Sequence, residues 1–126
     1  MRKQHESVGV LVVEDESLVR VVALEAINAA GFRAYAAANA DEAISILERQ
    51  CDIRVVFTDI NMPGSMDGIR LAHCVRERWP PVQFIVTSAL SKFRGAELPS
   101  GSVFVSKPYS PEQIVRKIEK MAEATA

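Results

Sequence analysis

Four short apolar segments of the sequence end in polar residues that could act together. Glu14 and Asp15 follow the run Val8 to Val13, and Asp59 closes the run that starts at Ile53. Thr87 and Ser88 follow Val82 to Val86, and Ser106-Lys107-Pro108 follows Val103 to Val105. Three carboxylates crowded together repel, and a hard divalent cation with oxygen ligands relieves that repulsion. Magnesium suits such a set, because it takes one or two carboxylates directly and keeps several waters. A lysine and a hydroxyl beside it can hold the oxygens of an incoming phosphoryl group. A carboxylate in that place can be the nucleophile and form an acyl phosphate. Asp59, a charge at the tip of a buried strand, is costly unless something pairs with it or binds it, so it is the candidate for the reacting residue.

Each residue also has an ordinary explanation. A Glu-Asp pair after a strand is commonly a solvated turn, and Asp15 or Ser17 can cap the helix that follows. Thr87 can satisfy backbone at a strand end, and Lys107 can stand in solvent. Asp67 reads as a helix-starting residue, while His5 and His73 have no partner at useful spacing. Coincidence of position favours chemistry, because four of five strands carry polar residues just past their ends.

That coincidence has force only if the elements bring those ends together. The valine-rich run Val8 to Val13 reads as a strand covered on both faces. Leu18, Val21, Val22, Leu24 and Ile27 then recur at helical spacing between Ser17 and Ala30, with Gly31 as a stop. Phe32 to Ala37 is a weaker strand. Asn39 with Glu42 forms a capping box that opens a helix with Ala43, Ile44 and Leu47 inward, ending near Gln50. Ile53 to Thr58 is the third strand, Gly68 to Trp79 a helix stopped by Pro80-Pro81, and Val82 to Val86 the fourth strand. Val103 to Val105 is the fifth. Ser110, Pro111 and Gln113 cap a last helix through Ile114, Val115, Ile118 and Met121. Ala89 to Ser102 shows little apolar periodicity, so any helix there is expected to be short or mobile. Strands alternating with helices imply a parallel sheet with helices on both faces, whose C-terminal strand ends share one edge.

The chain has 126 residues, of which 48% are hydrophobic and 25% charged, which fits a single soluble domain over 1–126 with its core at about 8–121. Fifteen basic against sixteen acidic residues give a net charge of −1, which argues against direct nucleic-acid binding. The first apolar run is too short for a signal peptide, and no stretch is long enough to span a membrane. Cys51 and Cys74 lack metal-ligand spacing and read as reduced thiols of a cytoplasmic protein.

The stretches "VLVVEDE", "VVFTDINMPGSMDG", "FIVTSA" and "FVSKPYS", in this order and spacing, resemble the receiver domain of two-component response regulators. The likeness runs from about Val8 to Met121. It implies a CheY-like, flavodoxin-like doubly wound fold, a (βα)5 three-layer sandwich with a parallel sheet of order 2-1-3-4-5. It also implies that Asp59 is the phosphoacceptor, Thr87 the switch hydroxyl and Lys107 the contact to a phosphoryl oxygen. Asp15, Asp59 and the backbone carbonyl of Asn61 match the Mg²⁺ ligands, with Glu14 acting through water, and Lys107-Pro108 is expected to be cis. The switch aromatic falls at Phe104, which has no hydroxyl, so its rotation would be read through packing alone. Asn61 and Ala89 fall at the two variable positions that tune phosphoryl lifetime. The weak pattern of Ala89 to Ser102 puts the family's usual output face in question.

By this likeness the chain takes a phosphoryl group from a sensor histidine kinase or a histidine phosphotransfer protein and switches binding to a downstream protein. It would be no enzyme beyond catalysing its own phosphorylation and dephosphorylation. Alternatives are a receiver cut from a larger hybrid kinase or regulator, and a receiver-like binding module that is never phosphorylated. An aspartyl-phosphate phosphatase would need Asp-x-Asp where Glu14-Asp15-Glu16 stands, and a cap domain. A flavin module would need a Ser/Thr/Gly-rich phosphate loop there, where three acids would repel the phosphate.

Overall fold

The computed structural model describes residues 8–61, 66–88 and 98–125. Its strands are β1 (Gly9–Val13), β2 (Arg33–Ala37), β3 (Ile53–Asp59), β4 (Gln83–Ser88) and β5 (Val103–Ser106). Its helices are α1 (Ser17–Ala29), α2 (Ala40–Arg49), α3 (Gly68–Arg78) and α4 (Pro111–Thr125). The strands form one sheet in the order β2-β1-β3-β4-β5, and all four pairings are parallel, as expected. The expected fifth helix would fall within Ala89 to Ser102, of which 89–97 lie outside the described residues.

The central strands β1, β3 and β4 read as largely apolar runs because both faces of the sheet are covered there. Leu11, Val13, Val56, Phe84 and Val86 face one core with Leu47, Leu71 and Val75 from α2 and α3. Val10, Val12, Val55, Phe57 and Ile85 face the other, with Ile27 of α1 and Ile114 and Ile118 of α4. Phe84 is 0% exposed; burying such a ring stabilises the fold by about 2–3 kcal/mol.

Both capping boxes form. Asn39 Oδ1 accepts from the Glu42 amide at 2.9 Å, though Glu42 reaches back to the Ala38 amide rather than that of Asn39. At α4, the Ser110 amide donates to Gln113 Oε1 at 2.8 Å and the Gln113 amide to Ser110 Oγ at 3.3 Å. Asp67 caps α3 by accepting from the Arg70 amide at 2.9 Å. Gly31, at φ 100°, sits in the left-handed region just past the end of α1.

Two readings of the sequence are corrected. Of the five apolar residues at helical spacing in α1, Ile27 is buried and Leu24 packs against the core, but Leu18 is 76% exposed and Val21 and Val22 are exposed too. Ala23 and Ile27 face the sheet, and the first turns of α1 flank a groove against α4. Strands β3 and β4 also run into their polar ends, to Asp59 and Ser88. A polar side chain does not stop a strand whose backbone is still paired; here the Ile60 amide donates to the Thr87 carbonyl and the Lys107 amide to the Ser88 carbonyl.

Both cysteines are free thiols, Cys51 exposed and Cys74 half-buried. No helix among the described residues is long and apolar enough to cross a membrane.

Candidate functional site

The parallel register brings the four polar segments to one edge. Asp59 of β3 lies beside Thr87 of β4, Val13 at the end of β1 lies beside Thr58, and Ser88 lies beside Ser106 just before Lys107. Carboxylate oxygens of Glu14, Asp15 and Asp59 all lie within 4.8 Å of one another. Glu14 and Asp59 are buried, at 4% and 5% exposure, while Asp15 is open to solvent.

Asp59 is held through both oxygens. Lys107 Nζ donates to Oδ2 at 2.5 Å, and the Asn61 amide donates to Oδ1 at 3.0 Å. The Lys107-Pro108 bond is cis. Burial opposes the charge on Lys107, yet its hydrogen bond to Asp59 and the fields of Asp59 and Glu14 outweigh this and raise its pKa above the ordinary lysine value. Burial raises the Glu14 carboxyl above its ordinary value; the Glu16 amide donating to Oε2 at 3.0 Å opposes this, and the charge of Asp59 adds to it. Tyr109 is raised by burial and then by the negative charge of Glu14, and its ring meets Phe57 edge-on at 5.5 Å. Among the described residues, three acids share this edge with the Lys107 ammonium and the Arg20 guanidinium, so negative charge is in excess.

Thr87 is 1% exposed, and its hydroxyl has no hydrogen-bond partner among the described residues. A buried hydroxyl left unsatisfied is costly, and such groups are concentrated where a ligand or a second conformation supplies the partner. Asn61 Nδ2 reaches Ser88 Oγ at 3.4 Å, a long contact across the mouth of the site. Phe104 stands off this cluster on β5, paired with Val86 and 36% exposed.

One residue at the site was not singled out from sequence. Arg20 Nη1 donates to the Glu14 carbonyl at 2.7 Å, tying α1 to the acidic loop where the helix has no side-chain cap of its own. A basic residue one turn into a helix that follows three acids was the available signal, and its target was not legible.

The donor set fits a hard cation: among the described residues, clustered carboxylate oxygens stand in excess of positive charge, beside a buried hydroxyl with no partner. Comparison with known proteins agrees with the fold. The response regulator receiver domain family matches residues 10–119. The sensor kinase CckA of Brucella abortus (strain 2308) is 33% identical over 121 residues, covering 93% of this chain and 13% of that protein. The aerobic respiration control protein ArcA of Escherichia coli (strain K12) is 28% identical over 119 residues, covering 92% of this chain and 49% of that protein. The chain therefore spans less than half of either curated relative. A response regulator receiver protein from Sinorhizobium medicae WSM419 superposes with a TM-score of 0.85 at 24% identity, over 94% of this chain and 97% of that one, a likeness of fold. With strand order, clustered edge and family match in agreement, the chain belongs to the receiver domains of two-component response regulators.

Proposed function

We propose that Asp59 accepts a phosphoryl group from a phosphohistidine of a sensor kinase or phosphotransfer protein, in a reaction that requires Mg²⁺. The observation that carries this reading is the buried Asp59 carboxylate, clustered with Glu14 and Asp15 and capped by Lys107. An Asp59 oxygen attacks phosphorus, the phosphorus–nitrogen bond to the histidine breaks, and a phosphorus–oxygen bond forms. The electron pair leaves with the imidazole, which takes a proton. Asp15 and Asp59, with the Asn61 carbonyl, would hold the cation, and Glu14 would act through water. When bound, Mg²⁺ supplies positive charge against the acids and the incoming phosphoryl oxygens.

Lys107 moves from the carboxylate to a phosphoryl oxygen once Asp59 carries the acyl phosphate, keeping its charge paired. The Thr87 hydroxyl gains the acceptor it lacks, and its shift repacks the surface around Phe104, changing affinity for a downstream protein. The domain is a phosphoacceptor rather than a classical enzyme, since the reaction modifies its own side chain. The groove between α1 and α4, about 630 Å³ and lined by Leu18, Val22, Ala26, Pro108 and Ile114, opens beside Lys107. The same reading places the domain in the cytoplasm, with its phosphodonor.

The test is labelling with a small phosphodonor such as acetyl phosphate, with and without Mg²⁺. Wild type acquires acid-stable, base-labile label only with the metal, and Asp59→Asn acquires none. Label retained by the variant, or absent from wild type, overturns the reading.

A further inference from the structure

Helix α3 meets the tip of β3 backbone to backbone, and the residue at the contact is Gly68. It is buried at the first position of the helix, where its amide donates to the Ile60 carbonyl at 3.0 Å. Glycine is a poor helix former, so its presence there needs a reason. Conformation is not that reason. Among the described residues the glycines at positive φ are Gly31 and Gly101, and any side chain could adopt the backbone of Gly68.

Space is the reason. A Cβ added to Gly68 would stand 2.3 Å from the Asp59 carbonyl oxygen, 2.9 Å from the Asp59 carbonyl carbon and 2.9 Å from Ile60 Cα. Real Cβ atoms do not come within 3.0 Å of such neighbours, and these three are backbone atoms that cannot swing aside. Neither partner is free to retreat. The strand tip is held by the Ile60 amide on the Thr87 carbonyl at 2.9 Å, and the helix by its Asp67 cap and by the buried Leu71, Ala72 and Val75.

We infer that Gly68 is a positioning residue for Asp59: its lack of a side chain lets α3 close onto the strand tip and sets where the Asp59 carboxylate stands against Glu14, Asp15 and Lys107. This rests on Asp59 being the acceptor. Any side chain at 68 must push the Asp59–Ile60 peptide, or the helix, by the better part of an ångström. A misplacement of that size costs about a hundredfold in a reaction that depends on alignment. Disturbing the support of a metal ligand costs about tenfold or more in affinity.

The experiment compares wild type, Gly68→Ala and Ile118→Val, the last a core change on α4 away from the site. Each is titrated with Mg²⁺ alone by calorimetry, labelled with acetyl phosphate and melted. Gly68→Ala is expected to bind Mg²⁺ about tenfold more weakly, to label about a hundredfold more slowly and to melt lower. Alanine without the clash would raise the melting temperature, so the sign is informative. Ile118→Val is expected to melt lower while binding Mg²⁺ as wild type does. If Gly68→Ala does not fold in buffer, the titration is made on all three proteins in trimethylamine N-oxide, which favours the compact state. Mg²⁺ affinity of Gly68→Ala within twofold of wild type, or an equal loss in Ile118→Val, overturns the inference and leaves the acceptor role of Asp59 standing. Failure of wild type to label overturns both.

Discussion

Asp52 stands just before β3 and Asp59 at its end, so one strand carries an aspartate at each edge of the sheet. Both meet a cation, and there the likeness stops. Asp52 accepts the Tyr35 hydroxyl at 3.0 Å on both oxygens and Arg33 Nη1 at 3.3 Å, in a pair whose side chains are 60% and 21% exposed. One carboxylate, one guanidinium and one phenol satisfy one another, and the set ties β2 to the start of β3. Asp59 shares its edge with Glu14 and Asp15 and pairs with one ammonium, next to a buried hydroxyl without a partner among the described residues. A polar cluster whose charges and donors balance is a staple. One left with surplus charge and an idle donor is built for something that arrives from outside.

The comparison breaks most visibly at Lys107. Replacing it with alanine leaves the phosphoryl oxygens without their cation, and labelling by acetyl phosphate should slow by about a hundredfold or more. The same change removes the positive charge that competes for Asp59, so calorimetry should show Mg²⁺ bound more tightly than by wild type. Weaker Mg²⁺ binding by Lys107→Ala would mean that the surplus charge does not govern this edge.

Glu14→Gln sharpens the contrast through pH. Burial and the charge of Asp59 raise the Glu14 carboxyl, so the folded state holds its proton more tightly than the unfolded chain does. Its contribution to stability is present below the ordinary value of 4.5 and is lost as pH rises through the raised value. The metal-free domain should therefore lose stability over that interval, and Glu14→Gln should flatten the profile and melt a few degrees higher near neutrality. The same variant should lose about tenfold in Mg²⁺ affinity. An unchanged pH profile would remove Glu14 from the account.

Asp52→Asn is the smallest expected change. It should cost about 1 kcal/mol through the weakened Tyr35 hydrogen bond and leave Mg²⁺ affinity within twofold of wild type. A large loss of metal affinity would show that the two edges are coupled and that the staple is part of the site.

Much of this could be read from residue order. Val8 to Val13 marked a strand covered on both faces and Val82 to Val86 a further strand, and Asn39, Asp67 and Ser110 marked helix starts, because capping is a matter of a few consecutive residues. The acids, hydroxyl and lysine were legible as a set because parallel strands deliver their C-terminal ends to one edge. The α1 series was only partly informative: Ile27 and Leu24 reach the core while Leu18 and Val22 stay exposed, because spacing does not say which side of a helix has a partner. Arg20 and Gly68 escaped because their partners, a carbonyl on Glu14 and a carbonyl on Asp59, are backbone atoms that leave no mark in a pattern of side chains.

Order along the chain therefore determined the alternation of strands and helices, the helix starts and the chemistry available at the strand ends, since these follow from neighbours a few residues apart. Packing decided that Lys107 reaches across 48 residues to Asp59, that Thr87 is left with an idle hydroxyl, and that α3 can close on β3 at Gly68. Those outcomes depend on separations of an ångström or less between elements distant in sequence, and such distances exist only once the two cores have closed on either side of the sheet.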